Sequence, residues 1–407
     1  MDTVAAVEKR SLTLPLTRWD VAGAFGDIGI LFPIAIALVS LNHMNPTAVF
    51  FTAGLAYILA GAYFKIPIAV QPFKAVAAIA LALELPPSSI ATAGLLMGVL
   101  LSFIGLTNLV TPLARLFTLP IVRGIQLGLG LILVREGIRL ALGAQSRALV
   151  LGGLALPSWE IALGGALVLL LFQRSRRYPS ALVLLAAGVL LGLLAHGRGL
   201  SSFGWGPLPL DFLHPHTAEM KKVLVALVLP QFALTFGNSI VAAENTAQVL
   251  YGAQARRVTA RALSLSIGLT NLVSGTLTSA PTCHGSGGIT AHYKFGARTQ
   301  KSNYVIGAVC LALALFGRGA VGLLHFIPTA VLGVFLVYVG IQHGALILDI
   351  VVRRRSLFIA LCVGLVSLAR TNLTYGFVLG FLLEGFFLVL KRASERKATE
   401  AQRTNDE

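Results

Sequence analysis

The chain has 407 residues, of which 56% are hydrophobic and only 12% are charged, and its mean hydropathy is +0.83. Soluble domains carry about 25% charged residues, so the composition excludes an ordinary soluble protein and predicts an integral membrane protein. The formal net charge of +16 does not indicate nucleic-acid binding, because the basic residues lie in short clusters between apolar segments. Such clusters are typical of the cytoplasmic loops of membrane proteins.

Several other classes of protein lack support in the sequence. The three cysteines, Cys283, Cys310 and Cys362, do not have the paired spacing of a zinc site or a disulfide framework. There is no phosphate-binding P-loop, no HExxH zinc motif and no GxSxG nucleophile elbow. The polar, basic start of the chain lacks the apolar core of a removable signal peptide. We therefore expect no metal, no cofactor and no enzyme activity, and a location in the inner or plasma membrane.

The apolar segments predict an all-α polytopic membrane protein with about fourteen membrane segments, seven in each half. The predicted organisation is a cytoplasmic N-terminal segment (1–18), a first membrane repeat (19–195), an inter-repeat loop (196–219), a second membrane repeat (220–390) and a cytoplasmic tail (391–407). The predicted segments lie near 20–40, 47–64, 72–85, 89–110, 119–140, 159–173, 179–195, 222–248, 260–279, 285–295, 303–317, 320–347, 356–369 and 374–390.

The third segment of each half is too short to span a bilayer, and each follows a polar interruption. The first interruption, 66–78, reads IPIAVQPFKAVAA, and the second, 281–288, reads PTCHGSGG. Because lipid offers no hydrogen bonds, non-helical backbone at this depth must be buried in protein or line a cavity. A half-helix that starts there would direct free N–H groups and a positive dipole end toward the membrane centre, which favours an anion. A tight re-entrant turn without a ligand would give the same pattern.

The two halves of the sequence resemble each other. The tripeptide FGD at 25–27 recurs as FGN at 236–238, an offset of 211, and the same offset places Pro72 on Cys283. An odd number of segments per half makes the second copy enter from the opposite side, which predicts an inverted repeat. Of the 32 Lys and Arg, 22 fall on the predicted cytoplasmic side, seven on the other side and three within segments. This distribution favours cytoplasmic termini.

Ionisable residues within apolar segments are costly and are therefore candidates for function. Asp27 could carry a proton or form a buried link to a Lys or Arg. Glu244 could act in coupling or be solvated at the boundary, and Arg123 could contact an anion or snorkel. His284 could donate to an anion, relay protons or be structural. The substrate-binding candidates are Gln71, Pro72, Phe73, Lys74, Asn238, Ser239, His284, Gly285, Ser286, Gly287 and Gly288, and the coupling, proton-transfer or gating candidates are Asp27, Glu244 and Arg123.

Five ordered motifs resemble signatures of the molybdate transporter family, a branch related to the SulP sulfate permeases. They lie at 26–29 (GDIG), 70–75 (VQPFKA), 122–127 (VRGIQL), 230–239 (PQFALTFGNS) and 283–288 (CHGSGG) with 293–299 (YKFGART). The resemblance implies a seven-plus-seven inverted repeat with a core and a gate domain, and a site between the third and tenth segments. It implies molybdate as the substrate, with sulfate as a related oxyanion. As in the molybdate branch, we expect no C-terminal STAS domain.

The expected function is secondary active import of a tetrahedral oxyanion, with molybdate as the first candidate. Because the membrane potential opposes entry of a dianion by about 4.6 kcal/mol per 100 mV, we expect coupling to protons. The alternatives are a carrier of sulfate or tungstate, a nucleobase or bicarbonate carrier, and a passive anion channel on the same scaffold. The expected partners are the oxyanion, the lipid bilayer and a second copy of the chain in a homodimer, and nucleic acid is not among them.

Overall fold

The computed structural model describes residues 16–107, 109–114, 116–142, 149–151, 153–173, 175, 180–196, 204–214, 217–324 and 326–406. The elements of the first half are α1 (Arg18–Leu41), α2 (Pro46–Phe64), β1 (Gln71–Pro72), α3 (Lys74–Ala82), α4 (Pro87–Thr107), α5 (Val110–Ala114), α6 (Leu119–Leu142), β2 (Leu149–Leu151), β3 (Leu154–Leu156), α7 (Ser158–Phe172) and α8 (Ser180–His196).

The elements of the second half are α9 (Thr217–Val223), α10 (Leu229–Leu234), α11 (Ala242–Tyr251), α12 (Ala260–Thr276), β4 (Thr282–Cys283), α13 (Ser286–Lys294), α14 (Lys301–Leu315), α15 (Gly317–Leu324), α16 (Thr329–Gly344), α17 (Arg354–Arg370) and α18 (Leu373–Asp406). Two π-helical turns, Leu224–Val228 and Thr235–Val241, flank α10, and 3₁₀ turns follow α11 (Gly252–Arg257) and α16 (Ala345–Ile350).

Local sequence signals explain where helices begin. Asp20 N donates to Thr17 Oγ1 at 3.2 Å and Thr17 N donates to Asp20 Oδ2 at 3.1 Å, which is a capping box at the start of α1. Asn45 Oδ1 accepts from Ala48 N at 3.3 Å, and Pro46 occupies the first position of α2. These side chains satisfy N–H groups that a helix terminus leaves without partners.

Five helices of the described chain are long and apolar enough to cross a membrane, and seven if each of two bent helix pairs is one span. The five are Pro46–Phe64, Pro87–Thr107, Glu219–Arg257, Thr329–Ile350 and Leu373–Glu395. The apolar helices Ser158–Phe172 and Val183–Ala195 are shorter. A helical, polytopic membrane protein is therefore confirmed, whereas the number of about fourteen segments stays a prediction.

The predicted terminal segments and inter-repeat loop differ in how far the structure describes them. Residues 1–15 of the predicted N-terminal segment lie outside the described residues, as do 197–203 and 215–216 of the predicted inter-repeat loop. The predicted tail, 391–407, is not separated from the last membrane segment by a break. Instead, α18 continues as a helix to Asp406.

The two interrupted stretches meet each other. Strands β1 and β4 pair antiparallel, with Gln71 opposite Cys283 and Pro72 opposite Thr282. Beyond this pair, Phe73 N donates to Pro281 O at 2.8 Å. The helices α3 and α13, each nine residues long, begin immediately after these strands. Two short helices thus lie where the sequence predicts half-helices, and both start from one small patch of sheet.

Two buried asparagines satisfy the backbone of the interruptions. Asn303 on α14 accepts from Ile68 N at 3.0 Å and donates to Ile68 O at 2.8 Å. Asn271 on α12 accepts from Thr282 N at 2.8 Å and donates to Thr282 O at 2.7 Å. At Ile68 and Thr282 the non-helical backbone therefore has its hydrogen bonds inside the protein, as burial in a membrane requires.

Helix contacts are reciprocal between the two halves. Helix α2 packs against α14, α4 packs against α12, and α6 packs against α16. An offset of 211 residues maps α2 onto α12 and α4 onto α14. The contact between α2 and α14 in this way corresponds to the contact between α4 and α12. Glycines permit the close crossing of α6 and α16, since a Cβ on Gly130 would lie 2.5 Å from Gly340 O, and one on Gly137 2.5 Å from Gly333 O.

Candidate substrate site

The N-terminus of α13 is open. Gly285 precedes the helix without a side-chain cap, and the N–H groups of Ser286 and Gly287 have no acceptor among the described residues. Gly287 is exposed, and a Cβ placed on it would have no neighbouring atom within 4 Å. Free N–H groups at the positive end of a helix dipole therefore border unfilled space, an arrangement that suits an anion.

Gly288, one residue further along, has the opposite environment. It is buried, and a Cβ placed on it would overlap Ala69, the Asp27 carboxylate and the Gln71 side-chain amide. The lack of a side chain therefore lets α13 lie directly against the first interruption. The glycines of this stretch serve two purposes, since Gly287 leaves room for a ligand and Gly288 allows close packing.

Two amide side chains lie beside Gly285. Ser286 Oγ donates to Asn238 Oδ1 at 2.9 Å, and a Cβ on Gly285 would lie 3.6 Å from Asn238 Nδ2 and 2.8 Å from Gln71 Oε1. Gln71 Oε1 is buried without a hydrogen-bond donor in the described ranges. Asn238 lies in the π-helical turn Thr235–Val241, a local distortion that is frequent at functional sites. Asn238 Nδ2 is thus a side-chain donor near the free backbone N–H groups, whereas Gln71 presents an acceptor oxygen to Gly285 and donates through Nε2 to Asp27.

The N-terminus of α3 is capped by protein. Gln231 Oε1 accepts from Ala75 N at 2.9 Å and from Val76 N at 3.3 Å, while its Nε2 donates to Thr235 Oγ1 at 2.8 Å. Gln231 is only 1% exposed. Two of the donors expected to face an anion at this terminus are therefore occupied by a side chain from the second half of the chain.

Lys74 and Phe73 lie at the start of α3. Lys74 is the first residue of the helix, is 7% exposed, and makes no side-chain hydrogen bond or ion pair in the part of the chain that the structure describes. Phe73 is 1% exposed, so its ring is part of the core. A buried ammonium without a carboxylate partner is costly unless an anion accompanies it. Lys74 is therefore a candidate partner for an anion near the paired strands.

Asp27 lies in a fully buried cluster built from four elements. Tyr57 Oη of α2 and Gln71 Nε2 of β1 both donate to its carboxylate. His292 Nε2 of α13 lies 3.5 Å from Asp27 Oδ2 and has no hydrogen-bond partner among the described residues. That distance is at the limit of a hydrogen bond. Protonation of the His292 ring would strengthen the contact, because the ring would then carry a positive charge beside the carboxylate. A link from Asp27 to a Lys or Arg, the alternative expected from the sequence, is not present in the described structure.

Gly26 brings the elements of this cluster together. A Cβ on Gly26 would lie 2.7 Å from the Phe295 ring and 3.3 Å from Ala291 O, so only glycine lets α1 approach α13 this closely. Gly237 has the same role in the second half, because a Cβ there would lie 2.5 Å from Val122 on α6. The glycines of the FGD and FGN tripeptides are therefore explained by close helix packing.

A sequence model of the family described as "Molybdate transporter of MFS superfamily" matches residues 20–133 and 223–342, more than half of the chain. The chain belongs to this molybdate transporter family. Each matched stretch contains one of the two interruptions, 66–78 and 281–288. The family resemblance inferred from the motifs is thus confirmed, and the chain is a member of a family of transporters rather than enzymes.

Relatives of the same family align over nearly the whole chain. "Molybdate transporter 2" of Arabidopsis thaliana is 28% identical over 410 residues, covering 91% of this chain and 87% of the relative. "Molybdate transporter 1" of Chlamydomonas reinhardtii is 29% identical over 474 residues, covering 90% of this chain and 91% of the relative.

Solved structures identify the fold of this molybdate transporter family member. The transmembrane domain of the cyanobacterial bicarbonate transporter BicA superposes with a TM-score of 0.66 at 18% identity, covering 89% of this chain and 97% of that chain. SLC26A9 superposes with a TM-score of 0.65 at 15% identity, covering 92% of this chain and 65% of that chain. The family description names the MFS superfamily, whereas this fold is the one seen in BicA and SLC26A9.

His284 lies beside the open helix terminus, but both of its ring nitrogens are occupied. Nδ1 is 2.8 Å from Ala69 O, and Nε2 is 2.8 Å from Ser266 Oγ. Since a carbonyl oxygen only accepts, Nδ1 donates and Nε2 accepts from the hydroxyl in a neutral ring. His284 therefore links the two halves, which favours the structural alternative. Ser239 is 1% exposed and lies against Cys283.

Arg123 and Glu244 lie apart from the Asp27 cluster. Arg123 Nε donates to the Asp349 carboxylate oxygens at 3.0 and 2.9 Å, and its Nη1 donates to Gln126 Oε1 at 2.8 Å. Glu244 is half-buried in the first turn of α11 and has no hydrogen bond or ion pair within the described residues. No described contact joins either side chain to Asp27, and their roles in coupling or gating stay predictions.

The sequence patterns did not single out Tyr57 or His292, and they assigned Gln231 no role. A tyrosine in an apolar helix is typical of a core, so Tyr57 carried no signal. His292 carried one, because it is an ionisable residue within the short tenth segment. Gln231 was visible only as a polar interruption, since its capping of α3 joins residues 156 positions apart.

Proposed function

We propose that this protein transports molybdate or a related tetrahedral oxyanion, which binds at the open N-terminus of α13. The observation that carries the proposal is the pair of N–H groups, on Ser286 and Gly287, that border unfilled space without an acceptor. Asn238 Nδ2 lies beside them and adds a neutral side-chain donor. The names of the relatives from Arabidopsis and Chlamydomonas support molybdate as the anion.

The charge of the anion explains why one helix terminus is not sufficient. A helix N-terminus offers roughly half a positive charge, whereas molybdate carries two negative charges. Lys74 supplies a full positive charge at the start of α3, and α3 adds its dipole. The backbone N–H groups of α3 are less available than expected, because Gln231 accepts from Ala75 N and Val76 N. The proposed site therefore takes its backbone donors from α13 and its full charge from α3.

We further propose that the fold is a seven-plus-seven inverted repeat with both termini in the cytoplasm. The strand register supports this, because the offset of 211 turns the pair of positions 71 and 283 into 282 and 72, which is the second observed pair. A two-fold axis would therefore pass between β1 and β4. The reciprocal helix contacts and the distribution of basic residues point the same way. A homodimer stays a prediction.

The orientation can be tested by labelling single cysteines in a background without the native ones. Asp211→Cys reports on the loop between the halves, and Ala253→Cys reports on the 3₁₀ turn after α11, both at exposed positions. With a membrane-impermeant maleimide added to intact cells, we expect labelling at 211 only, and labelling at 253 after permeabilisation. The reverse pattern would overturn the proposed orientation.

We propose that uptake is driven by protons that bind the pair formed by Asp27 and His292. The support is geometric: a buried carboxylate on α1 lies 3.5 Å from a buried imidazole on α13, the helix that carries the proposed site. A proton held there would offset part of the electrical cost of moving a dianion against the membrane potential. Asp27→Asn should therefore abolish the response of uptake to an inward proton gradient at a clamped potential. Flux that follows the potential and ignores pH in the unmodified protein would favour a passive channel instead.

The deciding experiment is uptake of labelled molybdate by the purified protein in liposomes, with tungstate, sulfate, phosphate, bicarbonate and a nucleobase as competitors. We expect molybdate uptake and competition by tetrahedral oxyanions. Nucleobases should not compete, because the ring of Phe73 is buried and cannot stack on a bound base. Uptake of bicarbonate without uptake of molybdate would contradict the proposal and favour the activity named for BicA.

A further inference from the structure

A groove lies between α2 and α12, and its lining residues come from these two helices alone. It has a volume of about 370 Å³ and is bordered by positions between 52 and 63 on α2 and between 262 and 273 on α12. On its rim, Leu59 is 57% exposed and Leu269 is 58% exposed. In a membrane protein, exposed leucines on a spanning helix face lipid. We propose that this groove binds one acyl chain of an anionic phospholipid.

The length of the groove fits a chain from one leaflet. Positions 52 and 63 are eleven residues apart, which at a rise of 1.5 Å per residue is about 16 Å along α2. Half of a hydrocarbon core of about 30 Å is about 15 Å. The groove therefore extends from one membrane surface to about the bilayer centre, which is the depth that a single acyl chain reaches.

The chemistry of the walls fits a hydrocarbon chain. Eight of the eleven lining residues are Leu, Ala, Val or Tyr, and the other three are Thr52, Ser266 and Thr270. Two of these hydroxyls are engaged within the protein: Thr52 Oγ1 is 2.7 Å from Ser279 Oγ, and Ser266 Oγ is 2.8 Å from His284 Nε2. Most of the surface presented to a ligand is thus apolar.

The end of the groove at Tyr63 and Ala262 is basic. Arg257 Nη1 donates to Tyr63 O at 3.1 Å, Lys65 follows two residues after Tyr63, and Arg261 immediately precedes Ala262. The sequence has no Asp or Glu in 28–83, 85–135 or 245–348, so α2, α4 and α12 carry no acidic side chain. A chain seated in the groove would place its headgroup phosphate at this basic end, near Arg257 and Lys65, while Arg261 Nε donates to Gly105 O of α4. Basic residues at a membrane surface favour anionic over zwitterionic lipid. The basic end of the groove therefore favours an anionic phospholipid as its ligand.

A lipid bound in this groove would contact a residue that is hydrogen-bonded to the stretch beside the open helix terminus. Ser266 on the groove wall is hydrogen-bonded to His284, whose Nδ1 donates to Ala69 O across the two halves of the chain. The lipid proposal itself does not rest on the identity of the transported anion. Binding of lipid and uptake of molybdate are measured separately, so either can fail without the other.

The test uses the full-length protein and two lipids with identical acyl chains, phosphatidylglycerol and phosphatidylcholine. Native mass spectrometry of the protein incubated with an equimolar mixture counts the retained molecules of each lipid. In parallel, a phosphatidylglycerol with a photoactivatable acyl chain is cross-linked to the protein and the labelled peptides are mapped. The mapping uses the unmodified chain, so it does not depend on the folding of any variant.

We expect preferential retention of phosphatidylglycerol and cross-links concentrated in 52–63 and 262–273. Arg257→Gln should lower the preference about fivefold, the contribution of one basic residue near the membrane surface, whereas Arg354→Gln, the same change at an exposed position elsewhere, should not. Thr270→Phe, which fills the groove, should remove the cross-links, and Leu163→Phe, on the exposed face of α7, should not. Equal retention of both lipids, or cross-links spread evenly over all lipid-facing helices, would overturn the proposal.

Discussion

The helices α3 and α13 are equivalent in the sequence repeat, yet their N-termini differ. At α3, Gln231 accepts from two backbone N–H groups, and the terminus is closed by protein. At α13, two N–H groups have no acceptor among the described residues, and the space beside Gly287 is empty. The residue equivalent to Gln231 at an offset of 211 is Asp20, whose carboxylate accepts from Thr17 N at the start of its own helix, α1, and from Thr299 Oγ1 at 2.8 Å.

Backbone positions related by the sequence repeat can thus have different side-chain surroundings. The sequence similarity between the halves coincides with the two places where the chain breaks and short helices begin. Side chains then close one terminus with Gln231 and leave the other open through glycine. The proposed function therefore has one anion site, to which we expect Lys74 of the closed terminus to supply charge.

The largest effect is expected where the open terminus is filled. Gly287→Leu, or Ser286→Leu, places a side chain in the space proposed for the anion and displaces it from two charge-assisted hydrogen bonds. Since each such bond contributes about 1.5–3 kcal/mol, molybdate uptake should fall by about 100-fold or more. Gly287→Ala is the matched control, because a Cβ there meets no atom within 4 Å. Normal uptake by a well-expressed Gly287→Leu protein would exclude this terminus as the site.

A smaller loss is expected when the closed terminus gives up its charge. Lys74→Gln removes one ionic partner of the anion, so the apparent affinity for molybdate should fall about tenfold or more. The melting temperature should not fall, because Lys74 is buried and its ammonium makes no hydrogen bond or ion pair within the described structure. Lys294→Gln, the same change at an exposed position of α13, should leave both quantities unchanged. A large loss of stability in Lys74→Gln would show that this lysine is structural.

How far the sequence predicted these features depends on the range of each contact. Composition and local polar interruptions were sufficient to predict a helical membrane protein, the two short helices and the glycine-rich terminus, because those signals lie within a few residues. The motifs were sufficient to predict the family. The capping of α3 by Gln231 and the partners of Asp27 were not predicted, since they join residues from distant segments. Tyr57 and His292 meet Asp27 only after α1, α2 and α13 have packed together.

The same limit applies to the expectation that both half-helices direct free N–H groups toward an anion. The repeat placed Pro72 on Cys283, and the strands that contain them do pair. An offset in sequence relates backbone positions and says nothing about a side chain from another helix. Gln231 lies on α10, and its Oε1 accepts from the backbone N–H groups of Ala75 and Val76 at the start of α3. Equivalent backbone therefore does not give equivalent chemistry.

Opening the closed terminus should affect stability more than transport. Gln231→Ala leaves the buried N–H groups of Ala75 and Val76 without an acceptor, which costs about 1–3 kcal/mol. We expect a lower melting temperature in detergent, with uptake per folded molecule changed by no more than about threefold, since the anion donors lie on α13. Gln231→Glu keeps the acceptor and should retain most of the stability. If Gln231→Ala abolished uptake without a change in melting temperature, the donors of α3 would belong to the substrate site.

The smallest effect is expected at Arg123, which lies outside both termini. Its guanidinium pairs with Asp349, and the two side chains are 20% and 45% exposed. Ion pairs that reach solvent contribute about 0–1 kcal/mol, because water screens the charges and the side chains lose freedom on pairing. Arg123→Gln should therefore lower the melting temperature slightly and leave molybdate uptake within about twofold of the unmodified protein. Asp349→Asn breaks the same pair from the other side, so a structural role predicts the same small change in both variants. If Arg123→Gln lost most of its uptake while Asp349→Asn kept it, the positive charge itself would be needed, and Arg123 would belong to the path of the anion as a third contributor beside the open and closed helix termini.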